Sequence, residues 1–265
     1  MTYKIVKLNS ARNCLKYIIK AFAIKEIYLP FYICPVLRTI AYSEGCKINF
    51  YHINQNFYPI SDFPKDAYIL YPNYFGICSS IVKELSNTYN NLIVDNAHSF
   101  FSSPSGLATF NSVRKFFPYI RNGAFLYTNN IIDYNFPKDE FDYKFRTLNE
   151  EEIIKNEYYI DSQDIKNMSD CSFSYISSVD LELEKNKLRK SFNDLSIKYS
   201  NINELKINLS VDDVPYKYPL LIKDKTLFDE VLCSLIKNGI FPLRLWQKLP
   251  KKYEESIFYN NLIVI

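Results

Sequence analysis

Glycine is scarce in this chain. Of 265 residues only Gly45, Gly76, Gly106, Gly123 and Gly239 are glycines, so each is a candidate for a turn or close backbone approach that other residues tolerate poorly. Histidine is scarcer, with His52 and His98 alone, which leaves few ligands for a zinc site, and none is expected. The six cysteines contain no CxxC pair and several sit in apolar runs, so reduced thiols in a cytoplasmic protein are expected rather than a disulfide framework. No apolar run is long enough to span a bilayer, and no signal-peptide pattern follows Met1, so no membrane association is expected. The net charge is only +3, with lysines scattered among acids; no basic stripe points to nucleic acid. What is present is a core: 48% of residues are apolar and 17% aromatic, which is a globular composition. The length suits one large domain, or one large and one small.

Up to about Phe125 short apolar runs alternate with helical patterns. Helices are expected at Asn13 to Phe22 (capped by Asn9 or Ser10), Pro35 to Tyr42 and Ser79 to Ser86. Strands are expected at Glu26 to Leu29, Lys47 to His52, Ala67 to Tyr71, Asn91 to Val94 and Ala124 to Thr128. Alternation at this spacing predicts an α/β fold with a mostly parallel sheet and helices on both faces, where ligands bind at the carboxyl ends of strands. Asp133 to Asp170 reads as an irregular or short-helical connection. Asp180 to Tyr199 then reads as a long amphipathic helix. A strand at Lys217 to Ile222, a helix at Thr226 to Lys237 and a strand at Ile240 to Leu243 follow, which suits a small C-terminal α+β domain. The expected division is 1–130, a connection over 131–179, and 180–265.

The chemistry concentrates in Val94-Asp95-Asn96-Ala97-His98 and Val113-Arg114-Lys115-Phe116. A buried strand delivers Asp95 at its end, His98 follows three residues on, and Lys115 follows after one more strand and turn. An acid for a pyridinium nitrogen and a lysine for an aldehyde are what pyridoxal 5'-phosphate (PLP) needs from a protein. Alone, Asp95 is a strand-end acid or cap, and His98 a histidine bonded to backbone; the combination favours chemistry. Apolar neighbours such as Phe110, Phe116 and Phe117 suit a lysine whose pKa must fall. A third element, Leu8-Asn9-Ser10-Ala11-Arg12-Asn13-Cys14-Leu15, opens a helix, whose N-terminus is a ready anion site. Leu29 to Cys34 and Asn73-Tyr74-Phe75-Gly76 each end a strand on the same side.

In order and spacing these motifs resemble the DegT/StrS-type sugar aminotransferases of PLP fold-type I, in particular a subgroup with an S-x-R-K-F-F signature. The resemblance covers nearly the whole chain. It implies a PLP-binding domain at 1–130 in which Lys115 takes the aldehyde, Asp95 holds the ring nitrogen and His98 lies near the ring. It further implies that Ser10, Ala11 and Arg12 hold the phosphate, and that Cys34, Tyr74 and Ser112 also line the cofactor site. Arg114 is read as pairing with an acid. The family's serine five residues before the lysine is Phe110 here, with Thr109 or Ser112 as substitutes, and Ala11 replaces a common glycine. The chain is also shorter than family members at both ends. The implied activity is amino transfer to a keto-sugar nucleotide in surface polysaccharide or glycan biosynthesis, with an amino-acid donor, by a cytoplasmic homodimer. Two other readings fit the same residues: a PLP enzyme of another reaction type on a small substrate, and a catalytically idle homologue that serves as a binding module.

Overall fold

The computed structural model describes residues 2–117, 119–140, 150–246 and 252–265. Its first half is an eight-stranded sheet built from β1 (Lys4–Leu8), β2 (Glu26–Pro30), β3 (Lys47–Ile53), β4 (Pro59–Ile60), β5 (Ile69–Pro72), β6 (Leu92–Asn96), β7 (Ala108–Asn111) and β8 (Ala124–Thr128). The spatial order is β1-β8-β7-β6-β5-β2-β3-β4. The five strands from β7 to β3 run parallel, and antiparallel strands close both ends. The fold is therefore α/β with a mostly parallel sheet, as the alternation implies.

Each face has its own core. In β6, Ile93 packs on the side of α1 (Ala11–Ala21) and α2 (Pro35–Ser43), with Leu15, Ile18, Leu37 and Ile40. Its neighbours Leu92 and Val94 point the other way, toward Val82 and Leu85 of α3 (Ser79–Thr88) and an aromatic cluster that includes Phe57, Tyr74 and Phe258. This period-two alternation, with both faces covered, explains why all five residues of β6 are buried.

After β8 the chain runs through the short helix-free stretch up to Glu140. It then forms α5 (Glu150–Ser162), α6 (Asp170–Ser178) and α7 (Leu181–Tyr199), with the four-residue α4 (Val113–Phe116) lying earlier, between β7 and β8. The connection expected over Asp133 to Asp170 thus contains a thirteen-residue helix; its residues 141–149 lie outside the described ones. In α7, Phe192 and Tyr199 are the buried residues. They pack with α8 (Lys225–Lys237) on a two-stranded sheet of β9 (Pro219–Leu221) and β10 (Leu262–Val264), forming the small α+β part. A short helix, α9 (Ile257–Asn261), leads into β10.

The expected strand at Ile240 to Leu243 does not form; only an isolated bridge joins Leu243 to Val264. Pro242 lacks an N–H to donate and Phe241 is 75% exposed, so the segment neither pairs nor buries a face. Among the described residues no helix is long and apolar enough to cross a membrane, and all six cysteines are free.

Candidate active site

The strand order reverses beside β2: β3 lies on one side, and β5, β6 and β7 follow on the other. Beyond the carboxyl ends at such a reversal an open α/β sheet leaves a crevice. A cavity lies there, with about 670 Å³ of empty space when its open mouth is included. Adjacent strands each contribute to its floor. Cys34 comes from the segment after β2, Asn73 from just after β5, Asp95 from the end of β6 and Ser112 from just after β7.

The N-terminus of α1 closes one end. Ser10 caps it: its Oγ accepts from Asn13 N at 3.2 Å, and its carbonyl accepts from Cys14 N at 3.0 Å. The N–H groups of Ala11 and Arg12 precede the first intrahelical bond and have no acceptor within the helix, so this end carries positive partial charge. Backbone bonds tie it to the lysine turn: Gly123 N donates to Asn9 O at 2.7 Å, and Val113 N donates to Gly123 O at 3.0 Å. Lys115 stands on α4 immediately beyond.

The electrostatics of the reactive groups follow from burial. Desolvation lowers the Lys115 ammonium to about 8, against the attraction of Asp95, with Arg114 adding to the fall. Asp95 is 8% exposed, and burial raises its carboxyl, opposed by Lys115 and by the N–H of Ala97, which donates to Oδ1 at 2.8 Å. Burial, together with the Lys115 charge, pushes His98 well below its ordinary value, so its ring is neutral near pH 7. That ring is stacked nearly parallel with Trp246 (centroids 5.4 Å apart, 5° between planes), with Tyr216 at 5.1 Å and Phe75 at 5.8 Å. Trp246 and Phe75 both hold left-handed backbone (φ 50° and 54°), a strained conformation for a bulky side chain and one that concentrates at functional sites.

Gly76 fixes the position of this stack. Its φ is 76°, and a Cβ there would lie 2.6 Å from His98 O and 2.7 Å from Val214 O. No side chain fits, so the turn after β5 can press against the His98 backbone only with glycine.

Of the residues singled out in the sequence, Lys115, Asp95 and His98 all line the cavity, and so do Ser10, Ala11, Arg12, Cys34 and Ser112. Tyr74 does not. It is fully buried among Tyr32, Phe57 and Tyr71, and its hydroxyl donates to Tyr32 O at 2.8 Å. The left-handed pair Phe75–Gly76 turns the chain so that Asn73, not Tyr74, faces the cavity. Of the two substitutes for the serine replaced by Phe110, Ser112 lines the cavity. The Thr109 hydroxyl instead closes a local loop with Ser105, accepting from its N at 2.8 Å and donating to its O at 2.7 Å. Arg114 pairs with an acid as expected, Glu157, at 2.6 Å. The sequence reading misses Asn122 and Ile160 in the wall; both come from segments with no apolar period to place them.

No family model matches the chain, and no curated protein matches it in sequence. Solved structures do match it over almost its whole length. A protein from Streptococcus pneumoniae assigned as a sugar aminotransferase, in its PMP form, superposes with a TM-score of 0.67 at 14% identity, covering 100% of this chain and 82% of that one. Helicobacter pylori PseC, an aminotransferase involved in the biosynthesis of pseudoaminic acid, gives 0.63 at 15%, covering 99% and 81%. A DegT DnrJ EryC1 StrS aminotransferase from Brucella abortus gives 0.62 at 11%, covering 98% and 80%. Identities this low speak to architecture: the chain has the PLP fold-type I fold shared by the DegT/DnrJ/EryC1/StrS aminotransferases.

Proposed function

We propose that the protein is a PLP-dependent aminotransferase that acts on a keto-sugar nucleotide. The observation that carries this reading is the convergence of Lys115, Asp95 and the N-terminus of α1 on one cavity. The donor set suits PLP from end to end. The free N–H groups of Ala11 and Arg12, with the Ser10 and Ser112 hydroxyls, suit a phosphate. The neutral ring of His98, backed by Trp246, suits a flat heterocycle. Asp95 would accept from a protonated ring nitrogen and hold it charged, which in turn would draw the carboxyl pKa back down. When bound, PLP supplies an aldehyde carbon and an electron-delocalising ring.

The chain's own groups do the rest. Lys115 Nζ, with its pKa near working pH, is neutral in a usable fraction and can accept and return a proton at that atom. Ile160 of α5 and Trp246 add apolar surface to the same lining. We assign the large domain to 1–130, the connection to 131–179 and the small domain to 180–265. We further propose that the protein works as a cytoplasmic homodimer in glycan biosynthesis. The six free thiols support the cytoplasmic part of that reading, and the printed roles of two structural neighbours support the glycan part.

The test is a single turnover of the PMP-loaded protein with a panel of 3-keto and 4-keto sugar nucleotides, followed by absorbance. Conversion to the PLP form by at least one of them is expected. Conversion by a small keto acid alone would overturn the sugar assignment in favour of a PLP enzyme acting on a small substrate.

A further inference from the structure

The chain has one tryptophan, Trp246, and its indole lies flat over His98, 5.4 Å between centroids and 5° between planes. Its backbone is left-handed (φ 50°), so the stretch that carries it has to be held by its surroundings. Residues 253–264 do the holding. Leu243 exchanges two backbone bonds with Val264 of β10, at 2.8 and 2.9 Å, and Arg244 Nη2 donates to Tyr259 O of α9 at 2.6 Å. Phe258 of α9 packs on Tyr32, whose ring meets Trp246 edge-on at 4.9 Å. This segment is fastened in turn to the eight-stranded sheet through Glu255. That residue is 1% exposed, and its Oε1 lies 2.5 Å from Nδ1 of His52 on β3; its other oxygen has no hydrogen-bond partner among the described residues. The His52 ring is sandwiched between Tyr253, with centroids 3.6 Å apart, and Phe31, at 4.6 Å.

We propose that Glu255 is a positioning residue for the cavity: bound to His52, it seats residues 253–264 so that Trp246 stays flat over His98. This rests on the reading that a flat cofactor ring uses that face of the cavity. Three observations favour it over a pair that only stabilises the fold. First, a carboxylate taken out of water with one oxygen unbonded adds little net stability, since apolar side chains of similar volume serve as well or better; what such a pair can add is a fixed register. Second, Phe31 and Tyr253 hold the His52 ring from both faces, so Nδ1 presents one direction to the carboxylate. Third, the contacts run on to the site. Phe31 is followed by Tyr32, whose hydroxyl is buried without a hydrogen bond, so ring contacts with Phe258, Tyr74 and Trp246 set its place. A shift of Phe258 therefore passes through Tyr32 to Trp246, and from there to His98.

A single tryptophan makes the test direct, because its emission reports this one position in the full chain without any cofactor. Wild type is compared with His52→Ala, with His52→Asn, whose amide nitrogen replaces Nδ1, and with Ile24→Ala. The last loses a buried side chain in the core on the other face of the sheet and serves as a control for lost stability. Emission and acrylamide quenching are recorded for each, with stability from denaturant unfolding. His52→Ala should shift the emission to longer wavelength and raise quenching, and His52→Asn should restore most of both. Ile24→Ala should lose stability with its emission unchanged. PLP affinity, read from absorbance, should fall about five- to tenfold in His52→Ala, the equivalent of one lost aromatic contact. Unchanged emission in folded His52→Ala overturns the proposal, as does an equal shift in Ile24→Ala, which would tie the signal to general loosening. If His52→Ala fails to fold, Glu255→Met decides: it leaves no buried charge behind, and unchanged emission there is also fatal. A protein that bound no PLP would still give these emission results, so the two proposals fail separately.

Discussion

The floor of the cavity is made of strand ends and backbone hydrogen bonds; the roof is a helix held by ion pairs. On the floor, Asn73 N donates to Asp95 O at 3.0 Å, Asn73 Nδ2 donates to Ser99 Oγ at 3.1 Å, and Gly76 packs without a side chain against His98. Asn73, Asp95, His98 and Ser112 there are all buried. On the roof, α5 meets the body through Arg12, Arg114, Glu157 and Asp161, partly open to water. Buried networks hold a geometry; ion pairs partly open to water hold less tightly. The difference suits a site in which the groups that would fix a ring must stay still.

The predictions probe this division in order of size. Asp95→Asn removes the floor's counter-charge for a pyridinium nitrogen. Transfer should fall by about 10²–10³, the usual cost of one preorganised electrostatic partner, with the fold intact by circular dichroism. Unchanged turnover would mean that another group holds the nitrogen. Gly76→Ala strains the floor's backbone: the new Cβ meets two carbonyl oxygens in a left-handed residue. A loss of about 1–3 kcal/mol in denaturant unfolding is expected, accompanied by weaker PLP binding. Full stability would show that the turn can relax, and that the floor is less rigid than described. Tyr74→Phe removes one buried hydrogen bond to Tyr32 O and nothing that faces the cavity. It should cost about 1 kcal/mol of stability and leave PLP affinity unchanged. Altered affinity would return Tyr74 to the site.

The floor was legible in the sequence and the roof was not, for one physical reason. Floor residues belong to elements with a strict period. The run from Leu92 to Val94 is continuous apolar chain ended by Asp95, so the strand, its direction and the acid at its carboxyl end follow together. Lys115 follows from the same regularity one unit later. Tyr74 was misplaced because residue type does not say which way a turn faces; that depended on Phe75 adopting a left-handed backbone. The roof helix α5 mixes charged and aromatic residues without an apolar stripe, so the pattern allows a short-helical connection but gives neither the length of the helix nor its partners. That Arg114 pairs with an acid follows from its sequence setting; that the acid is Glu157, shared with Arg12, is a fact of tertiary structure. In the small sheet, β10 is only three residues long and takes the place beside β9 that the sequence pattern gave to Ile240 to Leu243.

The central claim is that Lys115 is the amine of this site, set to react by burial. Lysine burial disfavours the charged form, so the neutral, nucleophilic fraction rises with pH and reaches one half at about 8. The direct measurement is to incubate the protein with PLP across pH 6–10 (roughly the range that brackets a shifted and an ordinary lysine), fix the adduct with borohydride and map the modified peptide. The account predicts one modified residue, Lys115, with an initial rate whose midpoint lies near 8. Modification of a different lysine, none at all, or a midpoint at the ordinary lysine value would contradict it.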